Sequence, residues 1–122
     1  AGLVFTSGHV PRNPDGSFIT GRLGKDMSTE AGYEAAKNVA ISILSSLKTE
    51  IGDLDQVERV VKVLCMINST PEFTDHPSVA NGASDLMVEI FGDKGRHARS
   101  AVGMASLPAN VPVEIEMVIQ VR

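Results

Sequence analysis

The stretch "QVERVVKVLCMINS", Gln56 to Ser69, limits what this chain can fold into more than any other. It is long, rich in β-branched residues and free of Pro and Gly, so it reads as one strand. Alternation sends Val61, Val63, Cys65 and Ile67 to one face and Val60, Leu64 and Met66, with Lys62, to the other. Both faces are therefore apolar, as in a strand inside a sheet that is covered on both sides. A chain of 122 residues builds one core and little else. Helices of the same chain can cover one face. The other calls for a second copy.

The covering helices are legible. Ser28 is a good N-cap, with Glu30 placed to favour the helix dipole. Ala36, Ala40, Ile43, Leu44, Leu47 and Ile51 then recur at helical spacing until Gly52 stops the run. "DHPSVANGASDLMVEIFG", Asp75 to Gly92, reads as a second helix, with Pro77 in its first turn and Val79, Leu86, Met87 and Ile90 as its stripe. Gly82 is a weak point inside it.

The rest reads as strand and turn. "LVFTSG" (Leu3 to Gly8) is a strand, "NPDG" (Asn13 to Gly16) a turn, and "SFITG" a returning strand of a hairpin. "RSAVGMA" (Arg99 to Ala105) and "VEIEMVIQV" (Val113 to Val121) close the chain, joined by a loop with two prolines. The expected order is ββαβαββ in a single domain over 1–122: an α+β sandwich with two helices on one face of a mostly antiparallel sheet.

Composition excludes several function classes. Eleven basic against fifteen acidic residues leave a net charge of −4, which disfavours a nucleic-acid partner held through its phosphates. Four Phe, one Tyr and no Trp leave little for base stacking. No apolar run is long enough for a membrane span, so no membrane partner is expected. Cys65 is the only cysteine, which excludes an internal disulfide, and no secretory leader is legible. Cytoplasm is the expected compartment. His9, His76 and His97 make no i, i+4 pair, and no cofactor or metal is expected. The start on an apolar strand at Ala1 suggests that an N-terminal segment is missing.

Arg99 is the residue that composition does not explain. It opens a run of small apolar residues, and a guanidinium is costly to bury alone. If the last two strands form a hairpin about Pro108, Arg99 lies nine residues before the turn and Glu114 six after it. The offset of three residues is about 10 Å at roughly 3.4 Å each. That is too long for a direct pair and close to the room a small anion needs between the two. On pattern alone, a solvated edge arginine and a surface acid are the favoured reading.

The segments "FTSGHVPRNPDG", "HARSAVGMASLP" and "VEIEMVIQV" together resemble the RidA/YjgF family of imine deaminases, in the right order and over nearly the whole chain. The resemblance implies a chorismate-mutase-like fold, a homotrimer that covers the second face of the Gln56–Ser69 strand, and sites in clefts between subunits. It implies hydrolysis of 2-aminoacrylate and related enamines or imines to 2-keto acids and ammonia. Arg99 matches the arginine that grips the substrate carboxylate and Glu114 the glutamate that positions water. Ser7 matches the serine of the T-S-G run, and Asn81 an asparagine with a structural role. Ala101 stands where many members have cysteine, so only its backbone can serve. The family's tyrosine over the substrate comes from a segment ahead of the first strand. "GHVPRNPDG" and Gly92 to His97 look closer to a divergent, endoribonuclease-like branch. An endoribonuclease acting on single-stranded RNA through Arg12, Arg22, Lys25, Arg96 and Arg99 is the alternative. A non-catalytic trimer that binds a small carboxylate is another.

Overall fold

A computed structural model describes residues 2–122. The long strand lies at the heart of the sheet, as its two apolar faces require. In chain order the elements are β1 (Gly2–Phe5), α1 (Thr29–Ile51), β2 (Val57–Asn68), α2 (His76–Phe91), β3 (Ala98–Met104) and β4 (Val113–Val121). The sheet runs β1-β4-β2-β3. β4 is antiparallel to β1 and β2, whereas β3 is parallel to β2, with α2 as the crossover between them.

α1 begins and ends where its caps dictate. The Ser28 hydroxyl accepts from the Ala31 N–H at 3.1 Å, and Gly52, at φ 87°, donates back to the Lys48 carbonyl. Ala36, Val39, Ala40, Ile43 and Leu47 are buried against the sheet with Val79, Ala83 and Met87 of α2. Gly82 has a packing reason. A Cβ there would run into the Tyr33 carbonyl, so its absence lets α2 close onto α1.

Three expectations are corrected. First, the faces of β2 shift at its start. Two bulges interrupt its register with β4, between Val57 and Arg59 and between Val60 and Lys62. Each inserts a residue and reverses the alternation. Val60 therefore joins Val63, Cys65 and Ile67 in the core, while Val61 is 36% exposed.

Second, the Asn13–Gly16 turn forms, but the hairpin never joins the sheet. Only Arg12 and Phe18 pair. Pro11 and Pro14 withhold donors, and Asp15 takes the Ser17 N–H and hydroxyl, so the polar groups are satisfied locally. The order is thus βαβαββ in the sheet.

Third, β3 and β4 are not a hairpin, because β2 lies between them. The loop that joins them crosses the end of β2. It is pinned there by Asn68, whose N–H donates to the Pro112 carbonyl and whose side-chain amide donates to Asn110 Oδ1 and to the Gly21 carbonyl. Asn68 is 2% exposed, so these bonds are obligatory rather than incidental.

The helices cover one face only. On the other, Lys62, Leu64, Met66, Glu114 and Val118 are half-buried, and Leu3, Phe5 and Val102 are exposed by 57%, 71% and 42%. No element among the described residues covers them. No helix among these residues is long and apolar enough to cross a membrane.

Candidate functional site

Arg99 stands near the start of the edge strand β3, in register with Val63, and so points to the helix side. It is half-buried beneath α2. Asn81 and Ser84 occupy one helical face, because three residues make nearly a turn. Arg99 Nη1 donates to Asn81 Oδ1 at 2.8 Å and to Ser84 Oγ at 3.1 Å.

This grip continues inward. Ser84 Oγ lies 2.8 Å from His97 Nε2, and His97 Nδ1 lies 2.6 Å from the Gly95 carbonyl. A carbonyl can only accept, so Nδ1 carries the proton and Nε2 accepts from the Ser84 hydroxyl. The serine oxygen is then free to accept from Arg99. The imidazole must stay neutral for this polarity. Burial pushes its pKa below the usual histidine value, the Gly95 bond partly opposes that, and the Arg99 charge adds to the depression.

Arg99 has no carboxylate partner among the described residues. Its Nε and Nη2 bond to none of them, and neither is sealed from solvent. These two nitrogens form the fork edge that matches a planar carboxylate with two parallel bonds. Ala101, two residues on and half-buried, shares the Arg99 face, opposite Cys65. Burial pushes the Cys65 thiol up to about 12, with Arg99 opposing weakly.

Glu114 sits elsewhere. It pairs with Met66 and occupies the uncovered face. Gly8 lies directly against it, since a Cβ there would meet the Glu114 carboxylate. The exposed Ser7 is therefore adjacent to this acid. Its carbonyl is 2.8 Å from His9 Nδ1, and His9 Nε2 in turn is 2.9 Å from Ser46 Oγ. Ser7 is thus one residue from the Gly8–Glu114 contact, whereas Arg99 and Asn81 are bonded elsewhere, with Ala101 two residues along the Arg99 face. Two strand steps of about 4.8 Å and three residues of about 3.4 Å separate Arg99 from Glu114, roughly 14 Å in all. The odd offset also puts their side chains on opposite faces of the sheet. Ser84 and His97 are the residues sequence reasoning missed. The available signal was spacing alone: Ser84 one turn after Asn81, His97 two before Arg99.

The domain thus defines a class: two helices on a four-stranded mixed sheet, with an edge-strand arginine held ready by neutral acceptors. The family follows from comparison. The model described as "YjgF/chorismate mutase-like, putative endoribonuclease" matches residues 1–119, and the chain belongs to this RidA/YjgF family. Protein TCP17 of Trypanosoma cruzi is 44% identical over 120 residues, 98% of this chain and 75% of its own length. Protein HMF1 of Saccharomyces cerevisiae is 28% identical over 98% of this chain and 78% of its own. The crystal structure of Atu1372, a protein of unknown function from Agrobacterium tumefaciens, superposes with a TM-score of 0.94 at 40% identity, covering 98% of this chain and 76% of that one.

Proposed function

We propose that this protein hydrolyses 2-aminoacrylate-type enamines and imines to 2-keto acids and ammonia, in clefts of a homotrimer where the β3 edge of one copy meets the uncovered sheet face of another. The observation that carries this reading is the free Nε–Nη2 edge of Arg99, a cation fixed by Asn81 and Ser84 without a carboxylate partner among the described residues. A 2-imino acid offers the matching anion beside its reactive carbon.

Water adds to the imine carbon, its oxygen forming the new C–O bond while the C=N π electrons pass to nitrogen. Glu114, on the other side of the cleft, takes the proton from water and returns it to nitrogen. Glu114 then moves the hydroxyl proton of the carbinolamine to its nitrogen, the oxygen electrons form C=O as the C–N bond breaks, and ammonia leaves the keto acid. An enamine enters by protonation at its methylene carbon. Imines hydrolyse readily in water, so orientation and charge matching supply what the step needs. The separation of Arg99 and Glu114 within one chain supports a cleft between copies, as do the exposed Leu3, Phe5 and Val102 on the face around Glu114.

An endoribonuclease reading finds less support. Arg12 stacks over Phe18, Arg96 pairs with Asp93, Arg22 bonds the Ser69 carbonyl and Arg99 lies under α2, so each is held by a different partner. The test is an assay that generates 2-aminoacrylate with and without the protein and follows keto acid, alongside the mass of the assembly in solution. Accelerated release in a trimer is expected. No acceleration across several amino-acid-derived imines refutes the enzyme, and keto-acid binding without turnover makes the protein a carboxylate-binding trimer.

A further inference from the structure

A second polar cluster lies at the other end of β3. There the carboxyl ends of the parallel strands β2 and β3 meet the start of α2, the crevice in which parallel β-α-β units bind ligands. A hollow of about 400 Å³ opens at this point, walled by Arg22, Ser69, Thr70, Phe73, His76 and Gly103 among others.

Its polar groups are gathered without acid. Arg22 Nη2 donates to the Ser69 carbonyl at 3.2 Å, and Arg22 Nε is the one buried side-chain polar atom without a partner among the described residues. No carboxylate among the described residues takes its side chain; Asp26 takes only its backbone N–H. Ser69 Oγ lies 3.3 Å from His76 Nε2. Gly103 makes room for that pair, because a Cβ there would approach both atoms to 2.7 Å. Its φ is not in the left-handed region, so space is the reason for glycine at this strand position. The first turn of α2 adds to the site. Asp75, its N-cap, accepts from the Ser78 hydroxyl and makes no side-chain cap, and neither Asp75 nor Glu72 lines the hollow.

We propose that this hollow binds the phosphate group of a small molecule. Arg22 supplies the charge, and the Thr70 hydroxyl and the Ser69–His76 pair, in which the ring Nε2–H donates to Ser69 Oγ and leaves the serine hydroxyl to donate, supply donors from the other sides. Donors arriving from separate segments suit a tetrahedral anion, which presents more acceptor oxygens than a carboxylate. The hollow is larger than phosphate alone, and Phe73, packed edge-on against His76, offers an apolar wall to the rest of the molecule.

The experiment titrates the full chain with inorganic phosphate, with glycerol phosphate and with acetate at matched ionic strength, by calorimetry and by amide chemical shifts. Saturable phosphate binding is expected, with shifts at Ser69 to Phe73 and at Gly103. Tighter binding of the monoester assigns an organic phosphate, and equal binding assigns free phosphate. Arg22→Gln should weaken it about ten-fold or more, the value of a charge-assisted pair, and Gly103→Ala should weaken it by forcing Ser69 and His76 apart. Arg99→Ala should leave it unchanged. Absence of saturable binding overturns the proposal, as does acetate binding as tightly as phosphate. So do binding lost in Arg99→Ala but kept in Arg22→Gln, and shifts that map away from this hollow. If Arg22→Gln fails to fold, the shift map of the parent and the Gly103→Ala titration decide.

Discussion

Arg99→Ala tests the proposed carboxylate grip where function and stability pull apart. The guanidinium carries five N–H groups, and only Nη1 is engaged. The Nε–Nη2 edge can therefore give a bound carboxylate two charge-assisted bonds, each worth about 1.5–3 kcal/mol. Losing such a pair in a cleft costs about 2–5 kcal/mol. That is roughly thirty-fold to several thousand-fold in kcat/KM, at about 1.4 kcal/mol per factor of ten. The fold loses much less. Asn81 is exposed and regains water, whereas the half-buried Ser84 hydroxyl loses a donor, about 1 kcal/mol. Removing a half-buried cation that has no counter-charge offsets part of this. The Tm should fall by no more than about 4 °C. Arg99→Lys keeps the charge but offers a point instead of a fork, so it should fall between parent and Ala. The measurements are keto-acid affinity by calorimetry, kcat/KM in the 2-aminoacrylate assay, melting temperature and assembly mass for all three forms. Keto-acid affinity in Arg99→Ala equal to that of the parent would refute the reasoning and leave Arg99 a solvated edge residue.

Three further outcomes follow from the packing. His97 is held neutral with a pKa below 6.5, so its contribution to stability is complete above pH 6.5 and is lost as the pH falls towards the depressed value, where Arg99 faces the new charge. His97→Gln should flatten that acid limb in melts against pH, and parallel curves for parent and variant would count against a buried His97 with a lowered pKa. Gly82→Ala gains about 1 kcal/mol of helix propensity but drives a methyl into the Tyr33 carbonyl, which is backbone and cannot swing away. A Tm several degrees lower is expected, and a higher one would show that the helices separate freely. The Cys65 thiol, buried and raised to about 12, should resist iodoacetamide in the native protein and react in urea. Stoichiometric labelling of the native chain would contradict its burial.

The helices were legible because their signals are local. Ser28, Gly52 and the stripe from Ala36 to Leu47 each act within a turn or two of themselves. So was the central place of β2, which follows from composition on two faces. Its exact facing was not, because period-2 alternation assumes an unbroken ladder and the bulges belong to the pairing with β4. Strand neighbours were hidden for the same reason. The proline-containing loop after β3 looks like a hairpin connection, and it is Asn68 at the end of another strand, with the Gly21 N–H, that holds it across β2 instead. At the candidate site, Arg99 announced itself as a cation in an apolar strand. Ser84 and His97 are ordinary polar residues until the parallel pairing of β3 brings His97 and Arg99 beneath Ser84 of α2.

The separation of Arg99 from Glu114 ties these threads together. An offset of three residues was already present in the sequence, and in a hairpin about Pro108 it would have left the two side chains about 10 Å apart along one ribbon, on alternate faces. With β2 between β3 and β4, the same odd offset sends Arg99 to the helix side and Glu114 to the uncovered side. No rotamer change brings side chains through a sheet. A reaction that needs both residues therefore needs a second copy, with its Glu114 face brought to the β3 edge of the first. The face that would have to be covered is the one bearing Leu3, Phe5 and Val102, whose exposure is costly in a free protomer. The apolar second side of β2 and the divided placement of Arg99 and Glu114 thus make the same demand. A variant that keeps the protein monomeric, such as Phe5→Asp on that face, should lose deaminase activity while Arg99 keeps its bonds to Asn81 and Ser84. A fully active monomer would break the link between assembly and site.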